Sequence, residues 1–387
     1  MDYLKFRADK IFTGREFLDK NKVLITDEKG MIENIVDEEE AGDDMQVFRG
    51  ILTPGFINCH CHLELSHLKG LIPERTGLVD FVWNILQLRH FPEEEILAAI
   101  ELAENEMLKN GIVATGDICN TTFSARQKSQ NNLHYYNFIE VSGFMPQFAE
   151  KRFKQAVEVS AQLEAISHRS SSIVPHAAYS VSEELFQLIN QSSEGKICTI
   201  HNQETHEENK FFQTGESDLK RIYQLLNVDI SFHRPSGISS LQTYLPLLKD
   251  VSSLILVHNT FTSEEDLKFM NQESLAGNQI FYWCLCPNAN LYIENALPPI
   301  DLFRQYQCAI VLGTDSLASN YGLSVLDEMK TIMEHYPALS QSEVMRWATL
   351  NGAEALKIAD TFGSLKQGKR PGILCIDENF RSVKRLV

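Results

Sequence analysis

Between Ile51 and Asp315 eight short runs of β character alternate with stretches of helical period, and this alternation restricts the possible folds more than any other feature of the chain. The runs begin at Ile51 (ILTPGFINCH), Gly111 (GIVATGDI), Leu133 (LHYYNFIEV), Ser171 (SSIVPHAAY), Lys196 (KICTIHN), Ser253 (SLILVHN), Asn278 (NQIFYWCLC) and Cys308 (CAIVLGTD). Helical stretches fill the gaps. Glu93 to Asn110 is stopped by Gly111, and Ser180-Val-Ser-Glu183, Thr262-Ser-Glu-Glu265 and Ser340-Gln-Ser-Glu343 fit the capping box. Eight such repeats predict a (β/α)8 TIM barrel over residues 51–361. Residues 1–50 and 362–387 have turn-and-strand character and predict a small β-sandwich-like domain formed by both chain ends. The acidic tract Asp37 to Asp44 reads as a solvated loop.

In a barrel of this kind chemistry gathers at the C-terminal ends of the strands. Those ends carry His60 and His62, Asp117, Glu140, His176, His201, His258, Cys286-Pro-Asn288 and Asp315. His60 and His62 share one strand face, because strand side chains alternate. Alone, such a pair is as easily a couple of satisfied core histidines as half of a metal site. With His201 and Asp315 it makes three imidazoles and a carboxylate, a donor set that leaves a position open for water. A metal lowers the pKa of that water, so hydroxide becomes available at neutral pH. His258 is placed to orient the water and take its proton. Glu204, three residues past His201, could carry a proton to a leaving group or face solvent, and spacing does not separate the two.

Net charge narrows the partners. At −17 the chain would repel a polyanion, so no nucleic-acid partner is expected. No apolar run approaches the ~20 residues of a membrane helix, and MDYLKFRADK lacks a signal-peptide core, so a cytoplasmic protein without membrane attachment is expected. The eight cysteines have no disulfide spacing and read as thiols. Cys284 and Cys286 share a strand face without further ligands to complete a metal site.

Taken in order, Thr53-Pro-Gly-Phe-Ile-Asn with His60-Cys-His62, Pro175-His176-Ala-Ala-Tyr-Ser180, His201-Asn-Gln-Glu204-Thr205, Val257-His258-Asn259, Cys286-Pro-Asn-Ala-Asn290-Leu291, Leu312-Gly-Thr-Asp315-Ser316 and Gly363-Ser-Leu-Lys-Gln-Gly368 resemble the amidohydrolase superfamily in its aminopurine and cytosine deaminase branch. The resemblance spans nearly the whole chain. It implies a mononuclear metal enzyme with one divalent ion, zinc first and iron second, held by His60, His62, His201 and Asp315. His176 would contact the substrate, Glu204 would shuttle a proton to a ring nitrogen, and His258 with Asp315 would activate water. Binuclear members carry a carbamylated lysine on the fourth strand, where this chain has Pro175-His176.

The stretch His62-Leu-Glu-Leu-Ser66-His67-Leu-Lys-Gly resembles aminodeoxyfutalosine deaminases, with adenosine-type deaminases close behind. The expected reaction is therefore hydrolytic deamination of an aminopurine nucleoside. Hydrolysis of a cyclic amide or a carbon–halogen bond, as in chlorohydrolase-like members, is the second reading, and a catalytically silent binding protein is the third. Glu64 and Ser66 could bind the substrate or order their loop. Trp83 could stack on a purine or fill core, and Tyr179 and Asn290 lie near the rim. His67 and His206 are expected in loop packing. Residues 206–249 exceed an ordinary connection and are expected to cap the site. The expected partner is a small molecule, and related enzymes are often dimers or larger, so the resemblance allows a homodimer without fixing the assembly. Cys61 and Lys369-Arg-Pro-Gly372 depart from the branch without touching a ligand position.

Overall fold

The computed structural model describes residues 3–276 and 279–387. Eight parallel strands form the centre: β1 (Phe56–Cys61), β2 (Ile112–Cys119), β3 (His134–Val141), β4 (Ser171–Pro175), β5 (Ile197–Asn202), β6 (Ser253–His258), β7 (Ile280–Leu285) and β8 (Ile310–Leu312). Every residue of β1, β2, β4, β5 and β6 is buried, as parallel strands covered on both faces require. The expected start at Asn278, and Met1 and Asp2 of the first segment, lie outside the described residues.

Strands β1 to β4 pair in one run and β5 to β8 in another. Two seams join the runs into a closed barrel. At one, Ala177 bridges His201, and the His201 N–H donates to the His176 carbonyl at 2.9 Å. At the other, Cys61 bridges Asp315, and the N–H groups of Thr314 and Asp315 both donate to the His60 carbonyl, at 3.0 and 3.1 Å. The backbone that closes the barrel therefore belongs to the candidate site residues. Helices follow on the outside, among them Glu93–Lys109, Ala149–Ser167, Glu183–Ser192, Glu264–Ala276 and Val325–His335.

The run beginning at Ile51 divides where a single strand was expected. Ile51–Pro54 pairs antiparallel with Ile373–Ile376 and parallel with Lys10–Ile11, outside the barrel, and β1 starts only at Phe56. Gly55 stands between the two strands, where a Cβ would lie 2.3 Å from Val113 Cγ1, so glycine is what this close approach admits. Ile51–Pro54 thus belongs to a four-stranded sheet built from both chain ends, beside a second four-stranded sheet built from residues 3–47 alone. Phe6, Leu24, Ile32, Leu52, Ile373 and Cys375 fill the space between them. The acidic tract expected as a loop holds one helical turn, Glu38–Ala41.

Two of the three expected capping boxes shift by residue. Ser182, not Ser180, caps Glu183–Ser192 by accepting the Leu185 N–H at 3.3 Å. Ser263, not Thr262, accepts from Asp266 N at 3.2 Å. In both cases the hydroxyl directly before the helix is best placed for the free N–H groups of the first turn. Ser340 caps Gln341–Arg346 as expected. No helix among the described residues is long and apolar enough to cross a membrane.

Candidate active site

The alternation along β1 turns His60 and His62 inward, and closure of the barrel brings β5 and the end of β8 against them. His62 Nε2 stands 3.1 Å from His60 Nε2 and 3.2 Å from His201 Nε2. Asp315 Oδ1 lies 3.5 Å from His60 Nε2 and 3.4 Å from His62 Nε2. Donors about 2.0–2.1 Å from one ion in a tetrahedral shell stand about 3.3 Å apart, so these separations fit a divalent cation. The donor chemistry fits too. Burial pushes the His60 and His62 imidazoles below their usual range, which keeps lone pairs available. Burial alone would raise the Asp315 carboxyl, but the imidazoles of His60, His62 and His258 hold it well below the carboxylate range.

Neighbouring groups aim these donors. His201 Nδ1 donates to the His176 carbonyl at 2.8 Å, which leaves its Nε2 free of hydrogen in the neutral ring. Ser319 donates to Asp315 Oδ2, so Oδ1 is the oxygen that faces the histidines. Asp315, His258 and Gln203 all sit at positive φ (56°, 72° and 47°), at the ends of β8, β6 and β5. Left-handed backbone of this kind is held by its surroundings, and its clustering at three strand ends accompanies functional sites. Gln203 is held by Glu208 Oε1, which accepts its N–H at 3.0 Å, and by Asp266, which accepts from its side chain at 2.9 Å.

Donor atoms of His60, His201, His258 and Asp315 also lie within 4.8 Å of one another, as do those of His62, Glu140 and His201. His62 Nε2 lies within 3.4 Å of three other donors, on His60, His201 and Asp315. His258 faces Glu204 Oε1 at 3.6 Å. The His258 ring is fixed from behind, with Nδ1 at 2.8 Å from Asn290 Oδ1, while Asn290 Nδ2 donates to the His258 carbonyl at 3.4 Å. The latter bond identifies Asn290 Oδ1 as the acceptor and His258 Nδ1 as the donor. Burial raises the Glu204 carboxyl well above its usual range, with the charges of Asp315, Glu294 and Glu208 adding to burial against the pull of His201.

The cluster opens into a cavity of about 390 Å³, within the range of small-molecule sites. His62, His176, His201, Glu204, His258 and Asp315 line its inner end. Phe81, Val82, Ile85, Phe144, Met145 and Phe148 make much of the apolar wall. Ile222, Tyr223, Leu226 and Val228, from within residues 206–249, complete that wall. Arg89 and Arg152 also reach the cavity, and no spacing pattern in the sequence pointed to either of them.

Several expected substrate contacts are not part of this wall. Glu64 is buried and accepts the N–H groups of Asn120 and Thr121, each at 3.1 Å, which ties the turn after β1 to the loop after β2. Ser66 donates to the Leu63 carbonyl at 2.7 Å within its own turn. Trp83 lies on helix Leu78–Leu88, whose Phe81, Val82, Ile85 and Leu86 face the cavity, and the helical period turns Trp83 off that face. Asn290 supports His258 from behind. Among the named candidates His176 and Tyr179 do line the cavity, with the Tyr179 ring edge-on to His176. His67 bonds the Arg89 carbonyl and packs on Phe91, and His206 packs on Phe261, but both lie in helical segments, Leu63–Leu68 and His206–Gln213, where loops were expected. All eight cysteines are free thiols.

A family model described as "Amidohydrolase family" matches residues 51–385. A 5-methylthioadenosine/S-adenosylhomocysteine deaminase of Saccharophagus degradans is 26% identical over 348 residues, 84% of this chain and 71% of that protein. The crystal structure of Helicobacter pylori aminofutalosine deaminase in complex with methylthio-coformycin superposes with a TM-score of 0.80 at 22% identity, covering 97% of this chain and 92% of that one. A zinc-bound adenosine deaminase from Xanthomonas campestris gives a TM-score of 0.72 at 21% identity, over 97% and 84% of the two chains.

Proposed function

The chain belongs to the amidohydrolase family, and on that footing we propose that it hydrolyses the exocyclic amine of an adenosine-type nucleoside and releases ammonia. Held by His60, His62, His201 and Asp315, a divalent ion, zinc first and iron second, would supply the Lewis acidity that makes water a nucleophile near neutral pH. His258 presents its unprotonated Nε2 to the cavity, because Nδ1 donates to Asn290, and so accepts a proton from the attacking water. Burial favours the protonated form of the Glu204 carboxyl, which delivers its proton to the ring nitrogen beside the reacting carbon. One water is consumed, the carbon–nitrogen bond to the amine breaks, and a carbonyl replaces it.

The observation that carries this reading is the facing pair of Glu204 and His258, 3.6 Å apart, beside the four-donor cluster. His176 donates Nδ1–H to Ser180 at 2.8 Å, while Ser180 donates to the Ala177 carbonyl, so His176 Nε2 serves as an acceptor toward the purine. Beyond the base, the apolar wall suits a 5′ substituent, and Arg89 and Arg152 suit one that ends in a carboxylate.

Ammonia release and the change in purine absorbance, measured on metal-loaded protein with adenosine, 5′-deoxyadenosine, methylthioadenosine, S-adenosylhomocysteine and aminofutalosine, test the proposal. Turnover of at least one is expected, with preference for an extended 5′ group. Silence across the panel would sink it. Removal of the ion by a chelator should abolish turnover, and added zinc should restore it. His62→Ala should lose bound metal and activity together, as metal analysis of the purified variant would read directly.

A further inference from the structure

We propose that a cationic recess at the N-terminal end of the barrel, where the barrel meets the sheets of the small domain, binds a polyvalent phosphate group. The catalytic cluster lies at the opposite ends of the same strands, so this second site stands independently of the nucleoside reading above.

The recess has a volume of about 280 Å³ and takes its walls from three parts of the chain. His134 opens β3, and Arg169 lies just before β4. Lys29 belongs to the turn between strands Lys22–Asp27 and Ile32–Asp37, while Arg370 precedes strand Ile373–Ile376 and Arg385 ends strand Val383–Arg385. Four cations therefore meet in one recess, and among the described residues no aspartate or glutamate lines it. In a chain with 52 acidic residues against 35 basic ones, so one-sided a lining makes a local positive field against the overall charge.

The four charges are largely unpaired. Arg169 Nη2 donates to Asn131 Oδ1 at 2.6 Å, and this neutral amide anchors the guanidinium without offsetting its charge. Burial first, and the Arg169 charge second, lower the pKa of His134, so that ring stays neutral at pH 7. Asp27 is the one carboxylate paired with any of the four among the described residues. It meets Arg370 at 3.6 Å, and its other oxygen accepts the N–H groups of Lys29 and Met31 at 2.9 and 2.8 Å. Arg385 has no ion pair or hydrogen-bond acceptor among the described residues, and partial burial alone lowers its pKa. Val387 turns its main-chain oxygen to the Ile373 N–H at 3.2 Å and pairs with none of the four.

A monovalent ion would leave most of this charge unbalanced. A phosphate group brings about two negative charges and oxygens that match the forked donors of arginine. The rings of His134 and Phe362, 5.5 Å apart, add an uncharged surface on which an organic group attached to the phosphate can lie. Because the cations come from the barrel and from both chain ends, an anion held among them ties these parts together and stabilises the fold.

Calorimetric titration and thermal midpoints at fixed ionic strength, with inorganic phosphate, pyrophosphate and adenosine 5′-diphosphate, test the site. Wild type should bind at least one of the three and gain thermal stability as its concentration rises. Arg385→Gln and Lys29→Gln should each weaken that binding by about tenfold, while Arg89→Gln, in the catalytic cavity, should leave it unchanged. Tighter binding of adenosine 5′-diphosphate than of pyrophosphate would identify a nucleotide-borne phosphate, and equal or weaker binding a free one. Wild type that binds none of the three overturns the proposal. So does binding that Arg385→Gln and Lys29→Gln leave intact, since the anion would then sit elsewhere. If Arg385→Gln fails to fold, Lys29→Gln decides.

Discussion

Glu204→Gln is expected to keep its metal and lose turnover by about 10²- to 10⁴-fold, the usual contribution of a positioned proton donor. The carboxyl is 5% exposed and faces His258, burial shifts it toward its protonated form, and the amide has the same shape with no acidic proton to transfer. KM should change little, since the ring contact is kept. Metal analysis beside steady-state ammonia release gives the result. Loss of the ion would mean that Glu204 is a ligand, and retained turnover would remove it from the mechanism.

The second large effect lies behind β1. Lys128 and Asp117 are both completely buried and form an ion pair at 2.6 Å. Lys128 also donates to Asn137 Oδ1 at 2.8 Å, and Asp117 Oδ1 accepts the N–H of Leu63 at 2.9 Å. Leu63 follows His62, so this pair pins the backbone that leaves β1. Lys128→Met strands a carboxylate in the core and should cost about 3–5 kcal/mol of stability. Adding Asp117→Asn removes the stranded charge and should recover most of that loss. Denaturant midpoints of the single and double variants measure the difference. A single variant as stable as the double would show that Asp117 tolerates isolation, and the pinning argument would fail.

The legible part of this protein is the part governed by short-range spacing. Alternation along Phe56–Cys61 put His60 and His62 on one face before any contact was known, and the recurrence of ionisable groups at strand ends singled out His201, His258 and Asp315. The Ser340 cap was legible for the same reason, since cap and N–H are neighbours in sequence. Where a contact joins distant segments, the same reasoning stopped. The break at Gly55 depends on Val113 and on pairing with Ile373–Ile376. The role of Glu64 depends on the N–H groups of Asn120 and Thr121, and that of Asn290 on His258.

Glu140 shows the limit most clearly. Sequence alone put it at a strand end, one ionisable residue among several, with no sign of which would be left with an unsatisfied oxygen. That depended on Asn120 taking one oxygen and on the His176 carbonyl claiming the proton of His201 Nδ1, contacts made among two strands and the loops that follow two others. What the sequence determined by itself was the repeat, the strand ends and the shared face of His60 and His62, because side-chain direction along a strand follows from backbone periodicity. The tertiary structure alone decided which donors converge within 3.1–3.5 Å, which polar atoms stay free, and which wall the substrate meets. Those depend on closure of the barrel between residues as far apart as Cys61 and Asp315, a distance in sequence over which local periodicity carries no information.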